Sequence, residues 1–402
     1  MRKFCLLVHV LVFTFMASCS PLGVPLYPNE PKHNTDKILK VQYIGLEPIL
    51  PSQVDLAGTL ILVGSRGDPS YRLDLGQNSK QEIPAGRCCF STSPDRNFLA
   101  YFLIDENPDT EDWVVIEGSN GKEINKLPIS KDWLVSYPTW LDNTHLLFSA
   151  RNDSAVSMSV VIVNPFNGKQ QEIASDYRDM KSSDQDSGIS SLDFVIYPAV
   201  YHPSLDLVVY PKRHGTDCFV VLWDRQVQRT VAELEDFGCF NHIPVWRPDG
   251  ELLAVALIPK REIPYKATSI STQEWFSISR DGDKQLLTNF GDTFDSVTIS
   301  SNASWSPDGQ RLAFWLSTNP PLCSEGAYLA VLELNAQEVT YYCINGTSGS
   351  YSESLIWSPD SQYLVVESLT ENRPVILVDV LHDWATQIGE NLDPQGWLSG
   401  EP

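Results

Sequence analysis

Trp305-Ser306-Pro307-Asp308-Gly309-Gln310-Arg311-Leu312-Ala313-Phe314-Trp315 is the stretch that decides the fold of this 402-residue chain. Proline sets φ at the start of a turn, aspartate accepts backbone hydrogen bonds, and glycine tolerates the positive φ at which the chain reverses. The apolar run that follows is a strand, so the stretch is a hairpin. It recurs. Trp357-Ser358-Pro359-Asp360-Ser361 runs into Tyr363-Leu364-Val365-Val366, and Trp246-Arg247-Pro248-Asp249-Gly250 runs into Leu252-Leu253-Ala254-Val255. Ser93-Pro94-Asp95 precedes Phe98-Leu99-Ala100-Tyr101. Eroded copies stand at Trp140-Leu141-Asp142-Asn143 and at His202-Pro203-Ser204. Equivalent positions are spaced by about 39 to 62 residues, near the period of a propeller blade.

After each hairpin comes a second one, such as Trp113-Val114-Val115-Ile116 turning at Ser119-Asn120-Gly121, or Val160-Val161-Ile162-Val163 turning at Asn167-Gly168. Four short strands per unit is the plan of a β-propeller blade. Gly396-Trp397-Leu398 reads as the first strand of a further copy, cut off after its tryptophan. Its missing strands appear at the other end of the chain, at Thr59-Leu60-Ile61-Leu62-Val63, Tyr71-Arg72-Leu73-Asp74-Leu75 and Lys80-Gln81-Glu82-Ile83. The expected fold class is therefore all-β: a seven-bladed propeller over residues 55–402, closed by pairing of the N- and C-terminal segments so that no sheet edge of the ring is left open. Trp246, Trp305 and Trp357 recur at one phase and are expected between blades.

The strings WSPDGQRLAFW, WSPDSQYLVVES and WRPDGELLAVAL resemble the TolB-type WD40-like repeat of bacterial propellers, over roughly residues 55 to 400. The resemblance implies the propeller fold. It leaves the activity open, because such propellers serve as binding platforms, as gating domains of serine peptidases and occasionally as lyases.

Residues 1–18 resemble the signal peptide of a bacterial lipoprotein: Arg2-Lys3, an apolar stretch from Phe4 to Met16 too short to span a bilayer, then Met16-Ala17-Ser18-Cys19. That resemblance implies cleavage before Cys19, thioether lipidation of Cys19 and acylation of the new N-terminus, hence attachment on the extracytoplasmic side of a bacterial membrane. An ordinary secretory signal with an incidental cysteine is the alternative. Residues 19–54 carry Pro21, Pro25, Pro28, Pro31, Pro48 and Pro51 and read as a tether.

The formal net charge of −22 disfavours nucleic acid as a partner, since binding would compress like charge instead of releasing counterions. Apart from the membrane, the expected partner is a protein, peptide or glycan, and the chain itself is expected to be a monomer.

Cys5 leaves with the signal and Cys19 takes the lipid, so Cys88, Cys89, Cys218, Cys239, Cys323 and Cys343 remain. In an exported chain Cys218 with Cys239, and Cys323 with Cys343, are candidate disulfides flanking the outer hairpins of two blades. Cys88-Cys89 would form a strained vicinal bond or stay reduced, and a redox or metal role for the pair is disfavoured because neighbouring side chains in a strand point to opposite sides.

The Pro-Asp turns occupy one rim, so the loops between second and third strands and between blades leave at the other. The longest insertions, Ser175 to Asp193, Pro259 to Gln273 and Asn289 to Ser301, lie there. Tyr177, Asp184, Asp186, Trp275, Phe294 and Tyr351 are the candidate ligand-binding residues of that rim, with Phe276 and Phe290 beside them.

No catalytic residues and no cofactor are assigned. Asp184-Gln185-Asp186-Ser187-Gly188 with Asp193 alternates oxygen ligands as a calcium loop does, but lacks the terminal glutamate of the full pattern. His214 and His242, with Asp217 and Glu235, are the remaining metal candidates. No G-x-S-x-G elbow occurs, and the blades leave no room for a hydrolase sheet. The expected function is a membrane-anchored binding scaffold; the alternative is a propeller lyase or hydrolase acting on an extracellular polysaccharide or peptide.

Overall fold

The computed structural model describes residues 38–42, 56–64, 68–104, 112–129, 133–135, 138–152, 157–177, 200–202, 205–214, 217–236, 244–258, 272–323, 326–346, 354–368, 370 and 372–399. The residues described belong to one compact unit, Lys37–Pro402. Signal residues 1–18 and Cys19 lie outside them, so the lipoprotein reading is carried forward as an expectation.

Seven antiparallel sheets follow one another along the chain. Blade 1 combines Leu392–Leu398 with Thr59–Gly64, Ser70–Asp74 and Ser79–Ile83; blade 2 runs Arg87–Thr92, Phe98–Leu103, Asp112–Gly118, Glu123–Ile129. Blade 3 is Thr139–Asp142, His145–Asn152, Ser157–Val163 and Gln170–Tyr177, with Trp133–Val135 added to its second strand. Blade 4 is Val200–His202, Leu207–His214, Asp217–Asp224 and Arg229–Asp236, and blade 5 is Val245–Trp246, Leu252–Leu257, Glu274–Ser279 and Lys284–Leu286. Blade 6 is Ser296–Trp305, Arg311–Asn319, Ala327–Glu333 and Glu338–Gly346, and blade 7 is Leu355–Trp357, Tyr363–Glu367, Pro374–Asp379 and Trp384–Glu390. First strands of successive blades touch one another, as those of blades 5, 6, 7, 1, 2 and 3 do in turn, and so form the inner ring.

The ring closes as the two chain ends predicted. Leu60 pairs with Trp397 and Thr59 with Leu398 in antiparallel register. Pro394 is tolerated because this innermost strand has a partner on one side only. Gly396 is required by a close approach: a Cβ there would stand 2.5 Å from Thr92 Cγ2 of blade 2.

Core residues lie between blades. Leu312, Phe314 and Leu316 face blade 5, packing with Ala254, Ala256 and Trp275, while the alternate residues Ala313 and Trp315 face blade 7 and meet Leu364 and Val366. Because both sides of each sheet are covered, the second strands are apolar without interruption instead of alternating with polar residues.

The repeated motif does the same mechanical work in each intact copy. Ser306 Oγ donates to Asp308 and accepts from Arg311 N–H, Asp308 Oδ1 accepts from Gln310 N–H, and Gly309 N–H returns to Ser306 O. Ser358 with Asp360, and Ser93 with Asp95, repeat this pattern. The fifth motif position has positive φ throughout: 63° at Arg96, 75° at Gly250, 67° at Gly309 and 64° at Ser361. Turns also bond to their neighbours, Asp308 N–H to Ser361 Oγ at 3.0 Å and Ser399 N–H to Arg96 O at 3.0 Å.

The motif tryptophans tie blade to blade. Trp140 Nε1 donates to Ser91 O at 3.0 Å, Trp305 to Val245 O at 3.1 Å and Trp357 to Ser304 O at 3.0 Å, each acceptor preceding the equivalent motif position of the blade before. At the eroded copy the rule fails. Tyr201 stands in the tryptophan position of blade 4, His202 packs edge-on against Trp246 with ring centroids 5.3 Å apart, and the Trp246 indole N–H finds no acceptor.

One segment departs from expectation. Residues 19–54 read as a tether, yet Ile38–Gln42 within them is a strand paired in parallel with the outer edge of blade 6, Ile38 opposite Glu338 and Gln42 opposite Tyr342. The flanking prolines mask a short Ile-Leu-Lys-Val run that suits an unpaired sheet edge.

Candidate functional site

The strands that flank the long connections end at the rim opposite the Ser-Pro-Asp turns: 104–111 in blade 2, 130–138 between blades 2 and 3 with Trp133–Val135 inside it, 178–199 after blade 3, 237–244 after blade 4, 258–273 in blade 5 and 347–354 after blade 6. At this rim the seam between blades 7 and 1 carries a polar cluster. Glu367 ends the second strand of blade 7, wholly buried, and Arg373 from the following loop grips it through Nη2 to Oε2 at 2.8 Å and Nε to Oε1 at 2.6 Å. The loop is shaped for that reach by positive φ at Asn372 and Arg373, and Ser368 N–H closes it onto Pro374 O at 2.8 Å. Asn391 N–H then bonds Asn372 O and Arg373 O, fastening the loop to the link into blade 1.

Across the seam, Asp393 and Gln395 project from the first strand of blade 1. Gln395 Nε2 donates to Asp393 Oδ2 at 2.6 Å and to Ser354 Oγ at 3.3 Å, while Asp393 Oδ1 is buried without a partner. Burial, reinforced by the charge of Glu367, pushes the Asp393 carboxyl up to about 7. A carboxyl in that state can give or take a proton near neutrality, and it lies beside a permanent cation. Its sequence signals were a charge closing the apolar run Tyr363-Leu364-Val365-Val366 and an Asp-Pro opening an innermost strand. Neither belongs to a motif, so both were missed.

Of the residues expected on this rim, two are in the core. Trp275 and Phe294 are 2% and 5% exposed and pack with Phe290, Phe314 and Tyr341 between blades 5 and 6; Phe276 and Phe290 are buried too. The reason is the anchoring of the connection from 287 to 295. The buried Glu274 carboxylate accepts from Thr288 Oγ1, Phe290 N–H and Gly291 N–H, which pins a turn of 3-10 helix, Phe290–Asp292, and turns its aromatics inward. The span Asn289 to Ser301 is therefore no free insertion: the innermost strand of blade 6 already begins at Ser296.

Tyr177 is the last residue of the outer strand of blade 3. Asp184, Asp186 and Tyr351 lie outside the described residues, as do His242 and Cys239. His214 ends its strand opposite Asp217, and Cys218 stands in the next strand opposite Arg213 and Asp236. Cys323 and Cys343 are joined, with Cα atoms 5.9 Å apart. Among the described residues no group of three or more His, Cys, Asp or Glu could hold a metal ion, and no helix is long and apolar enough to cross a membrane. The exposed large apolar residues there, Ile104, Ile124, Val227 and Leu381, are spread over three blades and make no continuous face.

No family model and no curated protein matches the chain. Solved structures do match it. An oligogalacturonate lyase in complex with manganese aligns with TM-score 0.51 at 13% identity, over 87% of this chain and 90% of its own. An acylaminoacyl peptidase from Pyrococcus horikoshii aligns with TM-score 0.51 at 12% identity, over 80% of this chain but 48% of its own. TolB from Acinetobacter baumannii aligns over 85% of this chain and 82% of its own, with 12% identity and TM-score 0.46. At such identities the likeness concerns the fold alone.

Proposed function

We propose that this chain is a lipid-anchored, extracytoplasmic propeller that binds a protein, peptide or glycan through its loop-bearing rim. One observation carries the reading: the intact Ser-Pro-Asp turns close on their own repeated hydrogen bonds, whereas the strands that flank the long connections end at the other rim. Rigid strands that present variable loops on one side are the usual arrangement of a binding surface. The Cys323–Cys343 disulfide fits an oxidising compartment, and Cys19 provides the membrane attachment.

The test compares the wild-type chain with one lacking 178–193 in affinity capture from intact bacterial envelopes. Loss of a specific partner at unchanged melting temperature supports the reading, and identical captures remove it from this loop. Palmitate labelling that disappears in Cys19→Ala supports the anchor; labelling that survives the substitution contradicts it.

The second reading, a lyase or hydrolase of extracellular polymer, draws on the Asp393 carboxyl poised near neutrality beside Glu367. Under it, a screen of polysaccharides and peptides yields a cleavage that Asp393→Asn slows at least about a hundredfold.

A further inference from the structure

Cys88 and Cys89 stand near the loop-bearing end of the innermost strand of blade 2, Arg87–Thr92. In a regular strand their sulfurs would diverge. Here the strand is bulged: Cys88 opposes Phe102 and Ser91 opposes Ala100, so one residue more is spent on this strand than on its partner. Cys89 sits at φ 64°, in the left-handed region that costs a non-glycine residue about 1–2 kcal/mol. Together these turn both side chains to the same side and bring the two sulfurs into contact, with neither in a disulfide. Both are half-buried against the core shared by blades 2 and 3. A bulge whose left-handed residue is a cysteine instead of a glycine keeps an unfavourable conformation, and the pair that this conformation creates points to a use.

We propose that Cys88 and Cys89 form a vicinal dithiol that closes reversibly into a disulfide by exchange with an external disulfide donor. Cys88 thiolate attacks one sulfur of the donor, breaking its S–S bond and releasing one donor thiolate, which takes up the proton that Cys88 has lost. Cys89 then loses its proton and attacks Cys88 Sγ, expelling the second donor sulfur as a thiol. Two protein thiols and one donor disulfide become one protein disulfide and two donor thiols. The order of attack follows from the hydrogen bond between them. Cys89 donates to Cys88, which holds the Cys88 thiol below its ordinary value, while the same bond and burial push Cys89 up.

Closure between adjacent residues confines the Cα atoms to about 3.8 Å, inside the usual span of a disulfide, so the bond is more readily reduced than an unstrained one. The Cys323–Cys343 bridge, with Cα atoms 5.9 Å apart, lies within that span. One molecule therefore holds a permanent bond and an exchangeable one. The first strand of blade 2 touches that of blade 1, so closure occurs next to the strand that carries Asp393.

The test equilibrates the full chain in a series of glutathione redox buffers, traps free thiols with N-ethylmaleimide, and assigns each cysteine by peptide mass. Cys88 and Cys89 should lose alkylation together, as a two-electron transition, at a potential at least about 30 mV more oxidising than that of Cys323–Cys343, a tenfold difference in exchange constant. In Cys89→Ser, Cys88 should instead accumulate as the glutathione mixed disulfide. The proposal is overturned if both thiols remain alkylatable wherever Cys323–Cys343 is oxidised. It is equally overturned if the pair is reduced only together with that bridge, or if it oxidises as readily in chain unfolded by urea.

Discussion

The two rims of this propeller are built on opposite principles. On the turn-bearing rim each intact turn closes on hydrogen bonds within a few residues, and the same serine, aspartate and positive-φ position recur from blade to blade. On the loop-bearing rim polar groups come from distant parts of the chain: Glu367 and Arg373 from blade 7, Asp393 and Gln395 from blade 1, and a carboxylate oxygen is left buried and unpaired. A local motif can be repeated because each copy is self-sufficient. A polar cluster assembled from two blades depends on residues distant in sequence, and such departures from the consistent pattern are where function concentrates.

The largest effect expected concerns the strand that joins the two rims at the ring closure. Deleting 394–402 removes the buried Trp397 and Leu398 and exposes the edge of Thr59–Gly64, so the melting temperature should fall by about 10 °C or more in calorimetry. An unchanged melt would show that the ring does not need closing.

Next comes Asp393→Asn at the loop-bearing rim. Burial raises the folded-state carboxyl above its unfolded value of about 3.9, so the protonated form stabilises the fold below pH 4, and that contribution is lost as pH rises through about 7. The amide cannot ionise. The variant should match wild type near pH 4 and be more stable near pH 8 by roughly 4 kcal/mol, read from urea unfolding at both pH values. Equal stability differences at the two pH values would place Asp393 in an ordinary solvated setting.

A smaller effect is expected on the turn-bearing rim. Asp308→Ala loses the acceptor for Ser306 Oγ and Gln310 N–H and should cost about 1.5 kcal/mol, with no dependence on pH between 6 and 9. A pH-dependent loss would erase the contrast between the rims.

The smallest is a difference between two like substitutions. Trp305→Phe removes a hydrogen bond to Val245 O, whereas Trp246→Phe removes an indole N–H that has no acceptor. Trp305→Phe should be the more destabilising by about 1 kcal/mol. If the two cost the same, the indole bonds between blades contribute nothing.

Blade number and turn position were legible in the residues because each rests on chemistry confined to a hairpin, and ring closure because the repeat breaks off at one end of the chain and resumes at the other. Proline, aspartate and a residue at positive φ build the turn from within, and the solitary Trp397 announced a strand whose partners were at Leu60. The motif tryptophans were legible for the same reason. Composition misled where it was averaged over a segment: Ile38–Gln42 sits among prolines yet pairs with blade 6. Trp275 and Phe294 looked like rim aromatics because their connections are long, but the direction in which they point is set by Glu274, whose three hydrogen bonds span the turn.

The chain by itself determined how many blades there are and where each hairpin reverses, since those properties follow from bonds between near neighbours in sequence, and it determined which two ends must meet because each carries part of one repeat unit. Only the tertiary structure decided that Glu367 and Asp393 share a seam and that Cys88 and Cys89 face one another. Burial, inter-blade packing and a bulged register are properties of segments brought together from afar, and no spacing along the chain encodes them.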